Sequence, residues 1–285
     1  MICPHCSSLK VANRSRLTRH GYKTFFCKNC KRIFNERTGT PFNRSQIQTT
    51  TIFKAVLWRL RYKLSLTGLA EMFSVEFERF YFTRETIRRW QEKFAPLITE
   101  ELKSGRKGQA DIRWKIDETL VKVEQKFHYL YRAIDSTGKL VDTKLSPVRT
   151  SESTSAFFKQ AVLTVGHKPV QVTTDKESSH PGAIKKVLGG KVKHRTGQYR
   201  NNRLERDHRG IKSRYKSMAA FKKFESAEIF CQAFDEQREF FRFRRWHKDR
   251  RTSGGKRADF KAKFYQLKNK FLGRKLVWKQ SAMSV

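Results

Sequence analysis

The chain has 285 residues, 63 of them Lys or Arg against 26 Asp or Glu, for a formal net charge of +37 with 13% aromatic residues. That length holds one sizeable core plus one or two small modules, and a charge excess spread along the whole chain among aromatics points to nucleic acid as partner. No apolar run approaches the ~20 residues that span a bilayer and no secretory leader opens the chain, so a membrane partner is excluded. A cytoplasmic, reducing, DNA-associated (nucleoid) setting is expected, where cysteines serve as metal ligands rather than disulfides.

Two cysteine pairs come first, Cys3-Pro-His-Cys6 and Cys27-Lys-Asn-Cys30. Each places two thiolates on a tight knuckle, and two knuckles close a tetrahedron around Zn²⁺. Residues 1–45 are therefore read as a zinc ribbon in which a structural metal replaces the core that so short a domain cannot build. Its many Lys and Arg residues favour contact with DNA over a purely structural role.

Residues 46–102 read as a helical, helix-turn-helix DNA-binding domain. Phe53, Val56, Leu57 and Leu60, then Leu66, Leu69 and Phe73, then Ile87, Trp90 and Phe94 recur at spacings of three and four, the mark of amphipathic helices. Thr83 is placed to cap the third helix and Ala95-Pro96 to end it. Its polar face carries Arg84, Arg88, Arg89, Gln91 and Lys93, which suits a recognition helix; a bundle with a solvated basic face is the plainer alternative. Lys103 to Gly108 reads as a linker.

Residues 109–250 alternate differently. Trp114 to Val123, Phe127 to Ile134 and Leu140 to Leu145 form a strand meander. A helix over Ser151–Val165 follows, capped by Ser151 or Ser153, then a strand over Val170–Thr174, a helix over Ala183–Leu188, a strand over Lys191–Arg195 and a helix that Asn201 or Asn202 caps. The order β-β-β-α-β-α-β-α gives an α/β class and a ribonuclease H-like catalytic domain of the retroviral-integrase type. In that topology Asp117 on the first strand and Asp175 after the fourth lie on neighbouring strands. Glu205 approaches from the last helix, with Arg209, Lys212 and Lys216 along the same face.

Three carboxylates on two strands and a helix suit two Mg²⁺ ions, with Mn²⁺ as a substitute, about 3.5 to 4 Å apart in a phosphoryl-transfer site. Singly, Asp117 reads equally as a strand-end residue, Asp175 as a cap and Glu205 as the partner of Arg209 in a solvated ion pair. Gathering acids weakens phosphate affinity in a basic protein unless a metal neutralises them, and that favours the joint reading. Glu118 should point to the face of its strand opposite Asp117. His208 reads either as a phosphate contact or as an ordinary helix residue. The remainder, 251–285, is a basic tail with Phe260, Phe264, Leu267 and Phe271 at helical spacing.

Trp114-Lys-Ile-Asp117-Glu-Thr119, Tyr129-Leu-Tyr-Arg-Ala-Ile-Asp135, Thr174-Asp175-Lys176, Tyr199-Arg-Asn-Asn202 with Glu205-Arg-Asp-His-Arg209, and Phe221-Lys-Lys-Phe-Glu-Ser-Ala227 stand in the order in which the DDE transposases of insertion-sequence family six carry their motifs. The resemblance runs from about Leu64 to Arg244. It implies Mg²⁺-dependent cleavage of transposon ends, recognition of terminal inverted repeats, joining of the 3′-OH to target DNA, replicative cointegrate formation and a homodimer or higher homo-oligomer on double-stranded DNA. The family's triad falls on Asp117, Asp175 and Glu205. The chain departs from the family in its zinc ribbon and in the 29 residues between Asp175 and Glu205, a few fewer than usual. The rivals are a domesticated, catalytically silent DNA-binding regulator and a nuclease of the same fold acting on RNA-containing duplexes.

Overall fold

The computed structural model describes residues 1–78, 80–175, 179–197, 202–216, 218, 221–243 and 252–273, except the side chains of 202, 203, 205–207, 215 and 216. The Glu205 and Lys216 side chains, the cap at Asn201 or Asn202 and the tail beyond 273 therefore lie outside the described residues. The chain divides into two compact units, Met1–Lys54 with Phe264–Val285, and Ala55–Lys263.

In the first unit, β1 (Val11–Leu17), β2 (Lys23–Cys27) and β3 (Ile33–Asn35) pair antiparallel in sequence order. The interior holds Cys3, Phe25, Cys27 and Phe34, with Phe25 stacked on Phe34 at 5.4 Å. So small a cluster cannot offset the entropy of ordering the strands, which leaves the cysteines to do so. Each knuckle turns the same way. The N–H of Ser7 donates to the Cys3 carbonyl and that of Lys31 to the Cys27 carbonyl, both at 2.9 Å, and both residues take positive φ, 57° and 59°.

Helix α1 (Thr49–Arg61) starts in the first unit and its residues from Ala55 on belong to the second, which continues with α2 (Leu66–Glu76) and α3 (Arg84–Ser104). Thr83 caps α3 as expected, accepting from Thr86 N–H at 3.2 Å. Pro96 does not end that helix, which runs through it to Ser104. A proline inside a helix forfeits one backbone bond, but Ile98, Thr99 and Leu102 beyond it are buried, and α3 packs along α7 (Phe224–Phe241). Gln91 also departs from expectation. It is buried and accepts from Arg59 Nε at 3.3 Å, because it lies four residues after Ile87 in the stripe that continues to Phe94 and Ile98. Burial holds Arg59 down to about 10.

The segment 103–108 is pinned rather than loose. Lys103 Nζ meets Asp142 at 2.8 Å, and Arg106 makes a two-pronged contact with the buried Glu236 at 2.6 and 2.8 Å.

The sheet comprises β4 (Arg113–Val123), β5 (Lys126–Asp135), β6 (Leu140–Ser146), β7 (Gln171–Thr174) and β8 (Lys193–Thr196) in the order β6-β5-β4-β7-β8. The first three are antiparallel, and β7 and β8 run parallel to β4. Between them lie α4 (Ser151–Val165) and α5 (Ser179–Ala183), the latter continuing as a π-helical turn, Ile184–Leu188; α6 (Asn202–Lys216) follows β8. This is the ribonuclease H-like arrangement. The cap of α4 is Thr150, one residue earlier than expected, accepting from Ser153 N–H at 3.2 Å.

Helices on both sides explain why the second half of β5, from Leu130 to Asp135, is buried without a break. Trp114, Ile116, Tyr131, Ala133 and Val172 pack on Phe157, Phe158 and Ala161 of α4. From the alternate register, Arg132 reaches α7 and meets Asp235 with two bonds of 2.8 Å.

The β4–β5 turn holds Glu124 and Gln125 at φ 50° and 65°, the signs a two-residue type I′ turn demands. Non-glycine residues are strained there. Replacing them with Asn-Gly is expected to raise the unfolding free energy by about 1 kcal/mol, read as a higher denaturant midpoint at unchanged slope.

Candidate active site

Asp117 and Asp175 reach the same edge of the sheet by register. β4 and β7 run parallel, and their last registered pair is Lys115 with Thr173. Each acid lies two residues further on. The Asp117 side chain is 17% exposed, its Oδ1 accepts from Glu118 N–H at 2.9 Å, and its Oδ2 lies 3.9 Å from Nδ1 of the buried His208 on α6. α6 packs on β4 with Leu204, His208 and Ile211 buried. Glu205 falls three residues before His208 on that helix, and Arg209 and Lys212 are exposed on it.

Asp175 is 40% exposed. Its carboxylate faces Arg149 Nη2 and His180 Nδ1, each at 3.4 Å. Glu118, on the strand face opposite Asp117, is nearly buried and meets the same two residues, Arg149 Nη2 at 3.2 Å and His180 Nε2 at 2.9 Å. Glu118, Asp175 and His180 form one of the two described clusters with metal-ligand spacing. Neither His180 nor Arg149 is visible to motif reading, because their role follows from facing Glu118 across the layer between sheet and helices. The alternation along β4 was the available signal.

Among the described residues the ligand atoms that come together here are those of Glu118, Asp175 and His180, and Asp117 is not in that cluster. Carboxylate oxygens are the hard donors that Mg²⁺ or Mn²⁺ takes, so the acids of this sheet end fit a divalent cation.

The other described cluster is Cys3, Cys6, Cys27 and Cys30, with Cys3–Cys30 and Cys6–Cys27 Sγ separations of 3.7 and 3.6 Å. Sulfurs at ~2.3 Å from a tetrahedral zinc stand ~3.8 Å apart. The Ser8 N–H pulls Cys6 down to about 6. The Arg32 N–H favours the Cys30 thiolate, yet burial and the neighbouring sulfurs push that thiol up to about 12. Four sulfurs this close resist common ionisation unless a cation sits among them, and zinc takes this donor set.

On α3, Arg84, Arg89 and Lys93 are exposed. Arg88 is engaged by its own helix, at 2.6 Å from Glu85 and 2.8 Å from Glu92. The Arg88 bonds hold Glu85 down to about 2.

A family model described as a DDE domain matches residues 111–243, the span that carries Asp117, Asp175 and Glu205. The transposase for insertion sequence-like element IS431mec of Staphylococcus aureus is 36% identical over 184 residues, covering 62% of this chain and 80% of the relative. The chain belongs to the DDE transposases of insertion-sequence family six. Within this family the S. aureus transposase for IS257 in transposon Tn4003 is similar to the same extent, 36% over 184 residues with the same coverage. Among solved structures, the HTLV-2 integrase catalytic core in complex with magnesium is 24% identical, covering 38% of this chain and 72% of that one at a TM-score of 0.32. No described helix of this transposase-family chain is long and apolar enough to cross a membrane.

Proposed function

We propose that the protein binds the terminal inverted repeats of its own element, cuts the 3′ strand at each end and joins the freed 3′-OH to target DNA, working as a dimer or higher oligomer on double-stranded DNA. The observation that carries this reading is that Asp117 on β4 and Asp175, just past the end of the parallel neighbour β7, each lie two residues beyond the last registered pair, Lys115 with Thr173, with the helix of Glu205 packed on β4. Bound there, divalent cations supply activation of the attacking oxygen and stabilisation of the leaving one.

The chain's own residues do the rest. Asp117, Asp175 and Glu205 provide the carboxylates. Arg209 and Lys212, exposed along α6, hold the flanking phosphates in line, and placement of this kind accounts for much of the barrier reduction in such reactions. No side chain is needed as a nucleophile. The zinc ribbon and, separately, the helix-turn-helix domain through the exposed Arg84, Arg89 and Lys93 of α3 grip the transposon end. Arg88 orders that face through its two glutamates.

The test is cleavage of a labelled duplex bearing the element's terminal repeat. The native protein is expected to release the 3′ end in Mg²⁺ or Mn²⁺ and not in chelator. Asp117→Ala and Asp175→Ala should retain end binding while losing cleavage by about 10³-fold or more. Retained cleavage in either variant would refute the assignment.

A further inference from the structure

We propose that Glu118 is a positioning residue, which fixes the Asp175 carboxylate for metal binding through two arms, His180 and Arg149. The inference rests on the site reading above and deepens it. A buried carboxylate is costly unless it is paired. Glu118, 4% exposed, has its two oxygens divided between two partners, Oε1 at 2.9 Å from His180 Nε2 and Oε2 at 3.2 Å from Arg149 Nη2.

Both partners show a second contact to Asp175, and again to different oxygens. Arg149 Nη2 donates to Oδ2 at 3.4 Å, and His180 Nδ1 stands 3.4 Å from Oδ1, at ion-pair distance without a hydrogen bond. One carboxylate thus holds two cationic or polar groups that between them set the rotation of the other. Asp175 needs such support, because it stands past the end of β7 and is 40% exposed.

The arms are themselves held. His180 is fully buried on α5. Arg149 directly precedes Thr150, whose hydroxyl caps α4. A ligand fixed before the cation arrives loses less freedom on binding, and partners that orient a ligand in this way typically account for 10–100-fold in metal affinity.

The test measures Mn²⁺ binding to the full zinc-loaded chain by electron paramagnetic resonance of free Mn²⁺, beside half-saturating Mn²⁺ for end cleavage. Glu118→Gln is expected to weaken binding by about 10–100-fold, to raise half-saturating Mn²⁺ to match, and to recover much of its cleavage rate at excess Mn²⁺, with end binding intact. Arg149→Ala removes one arm from a partly exposed position, so it folds even if Glu118→Gln does not, and should weaken Mn²⁺ binding in the same direction. Asp175→Asn serves as reference. If Asp175→Asn loses Mn²⁺ while Glu118→Gln and Arg149→Ala bind it as the native chain does, the inference is overturned and the site reading stands. If Asp175→Asn also binds as the native chain does, both are overturned.

Discussion

Asp235→Ala should cost the second unit about 3–5 kcal/mol, a large share of the 5–15 kcal/mol that holds a typical domain together. Arg132 and Asp235 are each 1% exposed at the side chain and joined by two bonds of 2.8 Å, and Thr143 Oγ1 donates to the same carboxylate at 2.6 Å. Truncating the acid leaves the buried Arg132 guanidinium between β5 and α7 without its counter-charge. Exchanging Arg132, Thr143 and Asp235 together for Met, Val and Leu removes the charges as a set and is expected to be near neutral or stabilising. Denaturant melts of the two variants distinguish these outcomes. A mild effect of Asp235→Ala would mean that Arg132 reaches water.

Chelating zinc, or replacing Cys27 with Ser, should unfold β1–β3. Cys27 is fully buried at the centre of the ribbon and shares its interior with Cys3, Phe25 and Phe34. Metal binding and folding are one event where the apolar core is this small. Amide exchange of residues 11–35 is therefore expected to lose its protection on chelation and to regain it with added Zn²⁺. Protection that survives strong chelation would assign the ribbon's stability to its aromatics instead.

Much of the fold could be read from the sequence because several independent local signals agreed. Alternating apolar residues around Asp117, the turn at Asp135–Gly138 and the 3.6-residue spacing of Ser151–Val165 each specify an element, and their order specifies the topology. Where reading failed, tertiary packing overrode a local rule. Pro96 breaks an isolated helix, but burial of Ile98 and Leu102 carries α3 past it. Gln91 is polar by composition and buried by position. Lys103–Gly108 has a linker's composition, yet Arg106 is committed to Glu236.

The candidate site divides the same way. Asp117, Asp175 and the helix of Glu205 follow from motifs and strand order. Glu118 could be assigned to its strand face, but its link to Asp175 through His180 and Arg149 joins residues 31 and 62 positions from it. No local pattern records such a pairing.

The most direct test of the proposed chemistry is strand transfer: a duplex carrying the element's terminal repeat is incubated with target plasmid in Mg²⁺, for the native protein beside Asp117→Ala, Asp175→Ala and Glu205→Gln. Joined product from the native protein alone is the expected result. Tight end binding by the native protein without cleavage or joining, or joining by any of the three variants, would contradict the account.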